Sequence, residues 1–263
     1  MSIPRSQIFS RLICGILMVL LTLGTVVLWR WSAPGVPIYM YHSISEEVTC
    51  QYPSLQLRPA DLEQQLDYLQ QHNFTPIFIE ELPHARQFHQ PVALTFDDGY
   101  EDNYTVLFPI IRRRHIPITL FLISDKLDTP GYLTSAQVKE MSDSGLVSVQ
   151  SHTATHHDLR ELNATQIDEE MQRSQARLEE IIGRPVTAVA YPAGHSTPEA
   201  ERIAHRYYTL GIKALGWGSY NSRHPMHTCR IGVFRDTSFE EFKQDTQQRQ
   251  LSRLQLFLKH LHL

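Results

Sequence analysis

Two adjacent carboxylates follow an apolar run in the segment VALTFDDGYEDNY, residues 92–104. The run Val92–Thr95 is typical of a buried strand, Asp97 and Asp98 follow it, and Gly99 ends it. Burying two carboxylates side by side is costly unless something pairs with them. The pair is either one loop acid and one helix cap, or two groups that share a chemical task.

Two histidines in the segment SHTATHH, residues 151–157, have the spacing of metal ligands. His152 and His156 are four residues apart, so on a helical turn their rings would point the same way. Two histidines and one carboxylate make a three-ligand metal site that leaves positions open for water and substrate. The second carboxylate would then be available as a base. The alternative is a polar loop with a capping role.

The elements that must position these residues alternate between strand and helix six or seven times after residue 36. This order predicts a parallel sheet with helices outside, and the length fits a closed or partly closed barrel. No GxGxxG follows the first strand, which argues against a nucleotide cofactor. The predicted strands are 36–42, 74–82, 92–95, 116–124, 146–152, 185–194 and 208–217, and the predicted helices are 57–74, 100–115, 134–145, 163–183 and 197–207.

Four predicted strands end in polar or turn-forming residues. The pairs are Tyr41-His42, Asp97-Asp98, Ser151-His152 and Tyr191-Pro192. In a barrel of parallel strands, reactive groups collect at the carboxyl-terminal rim. One site could therefore gather all four strand ends.

The first 35 of the 263 residues predict a membrane anchor. Residues 12–29, LICGILMVLLTLGTVVLW, carry no charge and would span about 27 Å as a helix, close to the hydrocarbon thickness of a bilayer. Arg5 and Arg11 precede them, which favours a cytoplasmic amino terminus and an external domain. A cleaved signal peptide is the alternative. We expect an anchor at 1–35, a catalytic domain at 36–250 and an amphipathic tail at 251–263.

Charge and cysteine content set further limits. The net charge of −4 offers no polybasic surface, so nucleic acid is not an expected partner. Cys14 lies in the apolar run, which leaves Cys50 and Cys229 in a domain where oxidation is permitted. These two cysteines could form a disulfide or remain separate thiols.

The segments TFDDGY, SHTATHHDL and AYPAG resemble the motifs of a known family, the polysaccharide deacetylases of the NodB-homology type, carbohydrate esterase family 4. The resemblance covers roughly residues 36–240. YMYHSI, the helix at 57–74 and CRIGVFRD are similar to the exported branch that deacetylates poly-N-acetylglucosamine. The resemblance implies a distorted (β/α) barrel that removes N-acetyl groups from an N-acetylglucosamine polysaccharide and releases acetate.

The resemblance also implies roles for individual residues. Asp98, His152 and His156 match the metal ligands, and Asp97 matches the general base. The metal is expected to be divalent, with Zn²⁺ preferred over Co²⁺, Ni²⁺ or Fe²⁺. The backbone N–H of Ala193 matches the donor that stabilises the oxyanion.

Other positions depart from the family pattern. This chain has Ala193 and Ala190 where the family has an aromatic residue and an arginine, so Arg230 could supply the guanidinium that orients Asp97. His42 is preferred as general acid over His260, which stands in a late LKH string. His157 is expected to be exposed or to support its neighbours.

The same acids and histidines are compatible with other acetylated substrates and with functions other than deacetylation. Peptidoglycan, chitin oligosaccharides and acetylated xylan are alternative substrates. A metal-free carbohydrate-binding protein is a second class, against which the complete set of acids and histidines argues. A metallopeptidase is disfavoured because the sequence has no HExxH.

Overall fold

The computed structural model describes residues 18, 24, 25, 35–48, 52–215, 220 and 224–250. Val36–Arg249 forms one compact unit. Within the described part of the chain, no helix is long and apolar enough to cross a membrane. Most of 12–29, together with Cys50, His260 and the tail 251–263, lies outside the described residues, so the anchor and the disulfide stay predictions.

The strands of Val36–Arg249 form a parallel barrel, as the sequence predicted. Seven strands make a closed circuit because β1 pairs with β10 on one edge and with β5 on the other, while β4 pairs with the beginning of β5. The short strands β2 and β3 form a separate pair. The strands are β1 Ile38–Tyr41, β2 Ser43–Ile44, β3 Gln56–Leu57, β4 Thr75–Ile77, β5 Pro91–Asp98, β6 Ile118–Leu122, β7 Val147–Ser151, β8 Ala188–Ala190, β9 Leu210–Leu215 and β10 Thr228–Gly232.

Six α-helices follow or connect the described strands. They are α1 Pro59–Gln71, α2 Phe108–Arg114, α3 Ser135–Asp143, α4 Ala164–Ile182, α5 Pro198–Ala204 and α6 Phe239–Gln250. The ends of α4 match local signals: the Asn163 side chain accepts from the N–H groups of Thr165 and Gln166, and Gly183 ends the helix with φ of 67°.

Strand β5 shows why the barrel has two cores. Leu94 and Phe96 belong to the large cluster under the helices, whereas Ala93 belongs to a smaller cluster drawn from alternate positions of the strands. Because side chains alternate along a strand, Thr95 and Asp97 share the inner face with Ala93. All eight residues of β5 are buried, so Asp97 lies inside the barrel rather than in the loop that follows.

Two predicted elements differ from the structure. The predicted strand 74–82 stops at Ile77, and Ile79–Gln87 forms a 3₁₀ helix whose entry is capped by Glu81, a carboxylate that accepts from Phe78 N–H at 2.8 Å. The predicted helix 100–115 begins with a π-helical segment, Asn103–Leu107. Pro109 has no N–H to donate to the preceding turn, which favours this wider turn before α2.

Candidate metal centre

Asp98, His152 and His156 converge at the carboxyl-terminal rim of the barrel. One ligand atom of each lies within 4.8 Å of the other two. Asp98 is the last residue of β5, and its Oδ1 is 3.5 Å from His152 Nε2 and 3.8 Å from His156 Nε2. These distances are short enough for one divalent cation to bind all three atoms.

The state of His152 suits metal binding. Its Nδ1 lies 2.8 Å from the carbonyl oxygen of Ala190, so Nδ1–H donates there and the lone pair of Nε2 faces Asp98. Burial lowers the pKa of His152 to about 4, and burial also lowers the pKa of His156. Both rings are therefore neutral near pH 7, which is the form that binds metal.

The backbone between the two histidines is not the predicted helical turn. Residues 152–157 have no regular secondary structure, and Thr153 and His156 have φ of 64° and 65°. The histidine rings meet edge to face with centroids 4.6 Å apart. A folded loop, rather than the pitch of a helix, therefore brings the two rings together.

Asp97 is held by Arg230 inside the barrel. Arg230 donates Nη1–H to Asp97 Oδ1 at 2.7 Å and Nη2–H to Oδ2 at 2.6 Å, and both side chains are at most 2% exposed. Arg230 Nη1 also donates to Thr95 Oγ1, and its guanidinium lies 5.4 Å from the ring centroid of Phe121. The structure thus places the guanidinium of Arg230 against Asp97, the position at which the sequence analysis suggested that Arg230 could replace the family's arginine.

The charge state of Asp97 follows from this pairing. Burial alone would raise its pKa, but the positive charge of Arg230, with contributions from His152 and His42, lowers it to about 2. Asp97 Oδ2 is 3.9 Å from His152 Nε2. An ionised carboxylate therefore lies beside the candidate metal site without belonging to the ligand cluster.

His42 directly follows β1 and is 9% exposed. Asn103 Nδ2 donates to its carbonyl oxygen at 3.0 Å, which fixes the backbone. Among the described residues, Nδ1 of His42 has no hydrogen-bond partner. Because Tyr41 pairs with Phe96, His42 and Asp97 are the next residues of two neighbouring strands and lie at the same rim of the barrel.

Ala193 lies in a tight turn at the end of β8. The 3₁₀ turn Pro192–Gly194 gives Ala193 a left-handed conformation, with φ of 51° and ψ of 14°. A Cβ at Gly194 would lie 2.1 Å from the Cβ of Ala214, so this position requires glycine. The turn begins two residues after Ala190, whose carbonyl oxygen lies 2.8 Å from His152 Nδ1.

Glu170 and Ser174 contact the segment that carries the two histidines, but the sequence analysis did not predict a role for either residue. Both lie on α4 and are buried. The signal was present, because Glu170 falls among Ile167, Met171 and Leu178 on the buried face of the helix. A carboxylate on such a face indicates a specific partner.

Comparison with known proteins agrees with this geometry. A family model described as polysaccharide deacetylase matches residues 85–211. The crystal structure of a polysaccharide deacetylase from Bacillus cereus has a TM-score of 0.76 and 30% identity, covering 81% of this chain and 69% of that one. The chain belongs to the polysaccharide deacetylase family.

Two curated relatives are similar to parts of this polysaccharide deacetylase domain. A Bacillus subtilis protein assigned to the polysaccharide deacetylases is 29% identical over 67% of this chain and 63% of its own length. The poly-beta-1,6-N-acetyl-D-glucosamine N-deacetylase of Escherichia coli K12 is 28% identical over 51% of this chain and 23% of its own length. The chain thus spans less than two thirds of either relative.

The region matched by the polysaccharide deacetylase model does not contain the whole site. It includes Asp97 and the three clustered residues, but His42 and Arg230 lie outside 85–211. His42 directly follows β1 and Arg230 lies in β10, the neighbouring strands that complete the barrel. Their contribution therefore depends on the closed circuit of strands.

Proposed function

We propose that this protein is a metal-dependent N-deacetylase that hydrolyses N-acetyl groups of an N-acetylglucosamine polysaccharide, with poly-β-1,6-N-acetyl-D-glucosamine as the preferred substrate. The observation that carries this proposal is the cluster of Asp98, His152 and His156 beside a second, ionised acid, Asp97. The name of the Escherichia coli relative supports the choice of polymer.

The chain's residues fit a divalent cation, with Zn²⁺ preferred for its affinity for imidazole. A cation held by Asp98, His152 and His156 would supply Lewis acidity, which lowers the pKa of water towards ~7 and polarises a carbonyl. Asp97 accepts the proton of the attacking water, and Arg230 orients the carboxylate and keeps it ionised between turnovers.

The remaining steps concern charge on the acetamide. The Ala193 N–H is proposed to donate to the oxygen on which negative charge develops. His42 is proposed to protonate the nitrogen of the departing amine. The products are acetate and a glucosamine unit.

Release of acetate from a panel of polymers tests the proposed function. Full-length protein loaded with Zn²⁺ would be incubated with poly-β-1,6-N-acetyl-D-glucosamine, peptidoglycan, chitin oligosaccharides and acetylated xylan. We expect the fastest release from the first. Faster release of acetate from another polymer would identify that polymer as the preferred substrate. Release from none of them by metal-loaded protein would favour a carbohydrate-binding role.

Replacement of His42 separates a general acid from a structural residue. In His42→Ala, hydrolysis of an acetamide should fall by about 10²–10⁴, while an acetate ester of a phenol should be hydrolysed at close to the wild-type rate. An amine cannot leave as an anion, whereas a phenolate leaves without a proton. Metal content should be unchanged. Equal losses on both substrates would assign His42 to folding or binding instead.

We further propose that residues 12–29 anchor the protein in the bacterial membrane, with the catalytic domain on the periplasmic or extracellular side. The uncharged run and the arginines before it support this arrangement. Full-length protein should sediment with membranes and resist carbonate extraction. A soluble mature form that begins near Ala33 would show cleavage and rule out the anchor.

A further inference from the structure

The segment that carries both histidines needs support from outside itself. Thr153 has φ of 64°, a conformation that is rare and costly for a β-branched residue, and His156 has φ of 65°. Within the segment, His156 N–H donates to Thr153 Oγ1 at 3.2 Å. This bond leaves the N–H groups of Ala154 and Thr155, between the two histidines, to be held by groups outside the segment.

Glu170 of α4 accepts three hydrogen bonds from this segment. Its Oε2 accepts from the N–H of Ala154 at 3.0 Å and of Thr155 at 2.8 Å, and its Oε1 accepts from Thr155 Oγ1 at 2.8 Å. The residue is 8% exposed. Hydrogen bonds from N–H groups to a buried carboxylate are stronger than neutral ones and leave little freedom of position.

Ser174, one turn later on the same helix, supports the start of the segment. Its Oγ lies 2.8 Å from Ser151 Oγ, and Ser151 Oγ accepts from the N–H of Thr153 at 3.1 Å. Both serines are fully buried. Helix α4 therefore contacts the segment at two points. Ser174 contacts Ser151, just before His152, and Glu170 contacts Ala154 and Thr155, between the two histidines.

We propose that Glu170 is a positioning residue whose carboxylate fixes the backbone of Ala154 and Thr155, and thereby sets the separation of His152 and His156 that the metal requires. This inference rests on the metal-dependent function proposed above. Groups that orient metal ligands without touching the metal typically change affinity by about 10–100-fold. Glu170 acts through the backbone of Ala154 and Thr155, which lie between the two histidines, rather than through the histidine rings.

Three variants separate position from charge. Glu170→Ala removes the acceptors and should weaken Zn²⁺ binding by about 10–100-fold, measured by competition with a chromophoric chelator. Glu170→Gln keeps an acceptor for the two N–H groups and should bind Zn²⁺ nearly as the wild type does. Glu169→Ala is the matched control, because Glu169 is the preceding residue of α4 and is exposed. It should leave the affinity unchanged.

Hydrogen exchange of the metal-free proteins tests the same inference without metal. Peptides that cover 151–157 should exchange faster in Glu170→Ala than in the wild type or in Glu169→Ala. Unchanged exchange together with unchanged Zn²⁺ affinity in Glu170→Ala would overturn the proposal. If wild-type protein does not bind Zn²⁺, the proposed function fails, and the exchange data alone decide whether Glu170 holds the segment.

A shorter acid covers the case in which Glu170→Ala does not fold. Glu170→Asp keeps the charge but withdraws the carboxylate by one methylene group, so the two N–H bonds should lengthen. It should weaken Zn²⁺ binding more than Glu170→Gln does, although Asp is the more similar group in charge. Wild-type affinity in Glu170→Asp would show that the position of the carboxylate does not matter.

Discussion

Replacement of His152 by alanine is expected to abolish metal binding and, with it, the release of acetate. His152 is 3% exposed, its Nδ1–H is held by Ala190, and its Nε2 lies 3.5 Å from Asp98 Oδ1, so neighbouring side chains cannot replace it. Two of three protein ligands would remain, which is too few for the open three-ligand site of catalytic metals. Bound metal, measured by mass spectrometry, and acetate release should fall together.

His157→Ala is the control for this experiment. His157 lies in the same segment but is exposed, so its loss should leave metal content and rate near those of the wild type. Thermal melting of the metal-free proteins would show that the barrel of His152→Ala still folds. A folded His152→Ala protein with full metal content would mean that the ligand set is wrong.

Asp97→Asn is expected to keep the metal and lose about 10²–10⁴ of the rate, because the amide cannot take a proton from water. The same change should destabilise the fold. Arg230 would keep its charge inside the barrel without a carboxylate, and breaking a buried pair in this way typically costs about 3–5 kcal/mol. Acetate release at matched metal content and the free energy of unfolding measure the two effects.

A double substitution separates the two roles of Asp97. Arg230→Met in the Asp97→Asn background removes the unpaired charge, so part of the lost stability should return while the rate stays low. Recovery of the rate with the stability would show that Asp97 matters for folding alone. Near-normal turnover in folded Asp97→Asn would likewise contradict its role as a base.

The strand ends that form the site could be predicted from sequence because local signals mark them. An apolar run that ends in Asp97, Asp98 and Gly99 indicates a buried strand and its end without any knowledge of the fold. Parallel order then places His152 and Asp98 at one rim. These inferences need only periodicity and topology, and the barrel agrees with them.

The contacts between distant segments could not be obtained in this way. Arg230 and Asp97 are 133 residues apart, and only a resemblance suggested their pairing. In the histidine segment, Thr153 has a φ of 64°, and the next two residues donate their N–H groups to Glu170 of a distant helix. Such bonds arise from tertiary packing, which neither helical spacing nor propensity reports.

The pair of Asp97 and Arg230 also bears on how the chain can fold while it is being synthesised. A growing chain contains β5 long before β10, so Asp97 is synthesised 133 residues before Arg230, its partner in the folded protein. Until β10 takes its place between β9 and β1, the circuit of strands is open and Asp97 can stay hydrated. Closure of the barrel and formation of the Asp97–Arg230 pair therefore depend on the same strand. Partly synthesised chains that lack β10 would consequently have neither a closed circuit of strands nor the guanidinium that pairs with Asp97.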